Sequence, residues 1–138
     1  MGIWRIVPLH RPASVGDLVF ICPPPSDETR QAKARGYFRS GPCDGGLAPL
    51  IKKVVAVAGQ HVDIGSIVTI DGQALASSDV NPFDGKGRRI EPDRGGTVPS
   101  GSVFVHSSYP GSYDSRYFGP LPVSGILGLA QEILTDAP

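Results

Sequence analysis

The 138 residues carry 13 basic and 13 acidic side chains and a formal charge of zero, with no basic stripe to neutralise phosphates, so a nucleic-acid partner is not expected. No run of 18 apolar residues is present to span a bilayer, and "MGIWRIVPLH" lacks the charged region and cleavage motif of a signal peptide. A length for one domain, a 40% hydrophobic fraction and chain-breaking Gly (18) and Pro (14) together predict a turn-rich, mainly β fold.

The first predicted strand is Leu18–Cys22 in "GDLVFICPPP", stopped by three prolines that cannot continue a ladder. "SDETRQAKARGYF" then has the polarity of a helix over about 26–36. Ser26 caps it, Asp27 and Glu28 occupy the first turn, basic residues follow, and Gly36 stands where a left-handed C-terminal residue is wanted. "SGPCDGG" reads as a loop. "LIKKVVAVAG" is a strand running into Gly59, and "VDIGSIVTIDGQAL" alternates before the hairpin pair Asp71–Gly72. Residues 77–102 are polar and rich in turn formers, as in a long loop or an extended ribbon. "SVFVHSS" is another strand, and "YPGSYDSRYFGPLPVSGILGLAQEIL" starts as a loop and ends in the last strand. The expectation is a single mainly antiparallel β domain over 1–138 with a small helical insertion.

Few residues offer chemistry. His10, His61 and His106 are far apart with no partner at ligand spacing, which predicts solvated or singly hydrogen-bonded histidines and no metal. No serine sits in a Gly-x-Ser-x-Gly elbow, and "GPCDGG" lacks the Lys-Ser/Thr of a phosphate loop. No cofactor is implied. Cys22 and Cys43 are too few for a zinc finger, and on residues alone they read equally as two buried thiols or as one disulfide.

Lys52 and Lys53 stand out because they interrupt an apolar strand. Side chains alternate along a strand, so the two must point to opposite faces. One reading has both snorkelling, stems on apolar surface and heads in water. The other has one lysine buried among Leu, Ile and Val, where desolvation disfavours the ammonium and leaves a neutral amine able to act as a general base. "GSYDSRYFGPLP" adds Ser112, Asp114, Ser115 and Arg116 in a tight polar cluster.

Together the two segments resemble those of the type I signal peptidase family. "LIKKVVAVAG" is similar to its lysine box, an apolar residue, the catalytic lysine, a basic residue and valines. "SYDSRYFGPLPVSGILG" is similar to its last box. The resemblance extends to the conjugative-transfer, TraF-type branch that matures pilin subunits, through "FICPPP", "ARGYF", the second cysteine before "DGG" and "DSRYFGP".

That resemblance implies an antiparallel, barrel-like signal-peptidase fold and a serine nucleophile deprotonated by a neutral lysine. Lys52 takes the place of the base and Lys53 that of its basic neighbour. Ser112 takes the place of the serine that holds the lysine amine, and Asp114 and Arg116 those of the bracing pair. Leu50 and Ile51, beside the base, are the expected lining of the substrate pocket. "MGIW" is similar to the tail of the nucleophile box, with Gly2 as its glycine, which puts the serine three residues before Met1; Ser14, Ser26 and Ser40 hold no equivalent position. The chain as written is therefore expected to be inactive. The implied parent is periplasmic and joined to the inner membrane by an anchor preceding Met1, and its partner is a pilin precursor polypeptide. An oxidising compartment favours a Cys22–Cys43 disulfide clamping the helical insertion. Two alternatives remain: a LexA-like self-cleaving Ser/Lys protease domain, and a non-catalytic β module of a secretion assembly.

Overall fold

The strands follow the apolar runs, and their pairing brings distant runs together. In the computed structural model, which describes residues 3–134, the chain forms β1 (Ile3–Val7), β2 (Leu18–Ile21), α1 (Asp27–Ala34), β3 (Ser40–Cys43) and β4 (Leu50–Val57). There follow β5 (His61–Ile64), β6 (Val68–Ile70), β7 (Gln73–Ala74), β8 (Gly96–Thr97), β9 (Ser102–His106), α2 (Ser115–Phe118), β10 (Leu121–Pro122) and β11 (Ile126–Leu134). Six strands build a curled sheet in the order β1-β11-β2-β4-β9-β10, and four build a smaller one in the order β7-β6-β5-β8. Every pairing is antiparallel. The mainly β expectation therefore holds.

β4 is the axis of the molecule. It pairs with β2 through Val19↔Lys52 and with β9 through Lys53↔His106. A register shift between Val54 and Ala56 lets β4 serve two cores, since a bulge re-aims successive side chains. Val54 joins Val19, Ile21, Val103, Val105 and Leu121 on one side. Val55 and Ala56 join Val62, Val68, Val98 and Phe104 on the other, packing the small sheet onto the large one. Each fully buried Val or Phe contributes about 1.5–3 kcal/mol.

A third cluster, Ala32, Phe38, Cys43 and Leu47, lies under α1, with Leu50, Tyr113 and Phe118 packed against it. α1 is capped as its sequence suggests: Ser26 Oγ accepts from Thr29 N and Thr29 Oγ1 accepts from Ser26 N. Gly36 is left-handed at φ 84°. Asp71 and Gly72 carry φ 49° and 82°, the two positive values a two-residue hairpin turn needs.

Several expectations are corrected. The first strand stops at Ile21, one residue short of Cys22. β1 is a strand beyond those expected, although four of the five residues of IWRIV are β-branched or aromatic; it pairs with β11. Ser40–Cys43, read as loop, is a short strand bridged to Leu47. Here Gly41 is required by close approach, as a Cβ would sit 2.4 Å from Ala48 Cα. Within "SYDSRYF", Asp114 caps the short helix α2. Residues 77–102 are a ribbon stapled by side chains: Asp84 accepts from Tyr37 Oη, Arg88 Nε and the Lys86 and Arg88 amides. Met1 and Gly2, the proposed end of the nucleophile box, lie outside the described residues.

Candidate active site

Lys52 sits midway along β4, half-buried, with its Nζ hydrogen-bonded to Ser112 Oγ at 2.7 Å. Ser112 is delivered by the loop between β9 and α2. There Pro110 and Gly111 (φ 76°) occupy the centre of a turn closed by Ser112 N donating to Tyr109 O at 3.1 Å. Lys53, one residue on, is exposed. Alternation thus separates the two lysines, and Lys52 is the one beside the polar cluster.

Behind Ser112 stands a buried ion pair. Asp114 has no exposed surface and accepts from Arg116 Nε and Nη2, both at 2.8 Å, and from the amides of Ser107 and Arg116, both at 3.0 Å. Arg116 spends its remaining donors on the carbonyls of Asp79 (2.8 Å), Ser112 (3.3 Å) and Ser107 (3.4 Å). Ser115 Oγ accepts from Val105 N at 2.9 Å, and Tyr117 Oη accepts from Asn81 N at 3.0 Å. One "DSRY" segment therefore fastens the end of β9, the Ser112 loop and the ribbon to one another. Among the described residues every buried side-chain polar atom has a partner, so the network is complete.

Electrostatics favour a proton acceptor at Lys52. Burial pushes the lysine below its ordinary value; Asp114 opposes this and Arg116 adds to it. A lowered amine gives up its proton more readily than a solvated lysine, and the Ser112 hydroxyl orients it.

A cavity of about 340 Å³ is lined by Lys52 together with Ile51, Lys53, Leu75, Ser77 and His106. The pair expected to line the substrate pocket is thus divided. Ile51, which shares a face with Lys53, borders this cavity, whereas Leu50 packs against two of the core clusters. A larger cavity, about 560 Å³, is lined by Leu9, Val57, Val123 and Ile126. Its one ionisable residue, Arg11, is committed to Asp17.

His106 was expected to be solvated or singly hydrogen-bonded. It has the single bond, to the Ser77 carbonyl, but is buried at 4% exposure. The available signal was its place in "SVFVH", two residues after Phe104 and so on the same face. His61 is exposed and pairs with Asp63. Among the described residues no group of three His, Cys, Asp or Glu is placed to hold a metal ion, and no helix is long and apolar enough to cross a membrane. Cys22 and Cys43 form a disulfide that ties the end of β2 to β3 across α1.

Residues 1–135 match the family described as "Signal peptidase, peptidase S26". The chain is 59% identical over 138 residues to the probable conjugal transfer protein TraF of Sinorhizobium fredii, covering all of this chain and 73% of that one. It is 51% identical over 138 residues to the conjugal transfer protein TraF of Agrobacterium tumefaciens, again covering the whole chain and 78% of the relative. A plasmid transfer protein TraF of Escherichia coli is 33% identical over 131 residues, 91% of this chain and 73% of that protein. In fold the chain is similar to the crystal structure of a signal peptidase I from Enterococcus faecalis V583, with TM-score 0.51 and 20% identity over 91% of this chain and 98% of the other. With a family match along almost its whole length and a relative this similar, the chain belongs to the peptidase S26 family of signal peptidases.

Proposed function

We propose that the chain is the catalytic part of a serine endopeptidase of the Ser/Lys dyad type that processes a pilin precursor for conjugative transfer. One observation carries this reading: the half-buried Lys52 amine, lowered by desolvation, is held at 2.7 Å by Ser112 in front of the buried Asp114–Arg116 pair. Family membership supports peptidase chemistry, and the relatives' names support a setting in conjugation.

In this reading Lys52 Nζ takes the proton of a serine hydroxyl as its oxygen attacks the scissile carbonyl. The resulting ammonium returns that proton to the departing amine, leaving an acyl ester. Lys52 then deprotonates the water that hydrolyses the ester. Ser112 keeps the amine aimed, Arg116 holds Ser112 by its backbone carbonyl, and Asp114 holds Arg116. The nucleophile is assigned to a serine preceding Met1. The protein is placed in the periplasm, anchored to the inner membrane by sequence ahead of Met1; a disulfide, which persists in oxidising compartments, supports that setting.

The test is acylation of the full-length protein by a serine-reactive probe, with the label mapped by mass spectrometry. Labelling upstream of Met1 that disappears in Lys52→Ala is the expected result. A label on Ser112 would make that residue the nucleophile and overturn the assignment.

A further inference from the structure

His106 borders the cavity beside Lys52 but has no part in the dyad chemistry. It ends β9, opposite Lys53 on the ladder, and its Nε2 lies 3.0 Å from the Ser77 carbonyl oxygen. A carbonyl only accepts, so Nε2 carries the hydrogen and donates. Burial lowers the ring's proton affinity, with Asp114 working against this, and Arg116 and Lys52 adding to it. The ring is thus neutral near pH 7 and locked in one tautomer.

The residue it holds is unusual. Ser77 has φ 54°, a left-handed backbone that residues other than glycine adopt only when their surroundings enforce it. The enforcement is visible on both sides. Ser78 Oγ donates to Leu75 O at 2.6 Å and accepts from Val68 N at 3.0 Å, fixing the ribbon to the small sheet. His106 pins the Ser77 carbonyl to the large sheet. The Ser77 part of the cavity lining is therefore a left-handed segment tied to the small sheet by Ser78 and to the large sheet by His106.

We infer that His106 is a specificity-determining positioning residue: by holding the Ser77 carbonyl it fixes part of the lining of the cavity that Lys52 also borders and sets the size of the substrate side chain admitted there. The inference rests on the endopeptidase reading above. It acts through Ser77 and not on the reacting atoms, so its effect belongs to substrate fit.

The experiment uses the full-length protein and an internally quenched peptide library randomised over six residues, from which a cleaved sequence is chosen. That peptide is remade with Ala, Val, Leu or Phe at each of the three positions preceding the scissile bond. His106→Phe keeps the ring volume and removes the donor; His106→Gln keeps an N–H donor. His106→Phe is expected to raise the Leu:Ala ratio of kcat/KM at one of these positions at least tenfold, through KM, with kcat on the parent peptide within threefold of wild type. His106→Gln is expected to stay within twofold of wild type. Ser77→Gly, which frees the same wall with His106 intact, is expected to shift the ratio in the same direction and decides the matter alone if His106→Phe does not fold. Ratios unchanged within twofold in His106→Phe and Ser77→Gly overturn the inference, as does a shift in His106→Gln equal to that in His106→Phe. Those results leave the endopeptidase reading standing provided Lys52→Ala is inactive; a wild-type protein that cleaves nothing overturns both.

Discussion

Lys52 and Ser112 are 60 residues apart in the chain, and their side chains meet at 2.7 Å. The meeting depends on β9 pairing with β4, on a Pro-Gly turn that reverses the chain after β9, and on Arg116, itself held by Asp114, binding that turn through the Ser112 carbonyl.

Lys52→Ala removes the base, and the full-length protein should lose about 10²–10⁴-fold in kcat. The wild-type rate should rise with pH through an apparent pKa below 10.5, because burial disfavours the ammonium. The same shift has a stability signature. Between the folded and unfolded values the unfolded chain holds the extra proton, so stability rises with pH in that window. Relative to Lys52→Met, the wild type should therefore gain stability as pH increases towards 10.5, read by urea unfolding across the alkaline range. A difference that does not vary with pH would contradict a lowered lysine.

Ser112→Ala leaves the desolvation that lowers Lys52 in place but removes the hydroxyl that aims the amine. Misplacement of this kind costs about 10²-fold in rate, less than loss of the base itself. Stability should change by only about 1 kcal/mol, the net value of one hydrogen bond. Steady-state kinetics together with a denaturation curve separate the two quantities; a loss equal to that of Lys52→Ala would argue that Ser112 does more than orient.

Asp114→Ala strands a buried guanidinium, and Arg116→Ala strands a buried carboxylate. Each should destabilise by about 3–5 kcal/mol. The double substitution should cost less than the two singles combined, because the second change removes the charge that the first left unpaired. Additive losses in a urea double-mutant cycle would mean that the pair is not coupled.

The Cys22–Cys43 bridge closes a loop with a separation of 21 residues, which stabilises by about 3 kcal/mol in the chain-entropy view. Reduction should lower the urea midpoint accordingly. It should also alter the near-ultraviolet circular dichroism of tyrosine, since Tyr37 and Tyr113 pack 4.8 Å apart between rings in the cluster that the bridge closes. An unchanged midpoint with dithiothreitol would show that the insertion holds without it.

Local chemistry left clear marks in the sequence. Ser26 followed by Asp27, Glu28 and Thr29 marks the start of α1, because unpaired amides at a helix start need acceptors. Asp71–Gly72 marks a hairpin, because two successive positive φ values suit few residues. Alternation requires Lys52 and Lys53 to face opposite ways, and the resemblance names Lys52 as the base. What residues could not reveal are partners far away in the chain. β1 finds its partner in β11, and Leu50 leaves the pocket because a third cluster under α1 receives it. His106 belongs to the site because the ribbon folds back to put the Ser77 carbonyl within 3.0 Å. Short-range preferences act over a few bonds and are written in neighbouring residues; burial, pairing and the desolvation that lowers Lys52 arise only when segments 29 to 131 positions apart close on one another.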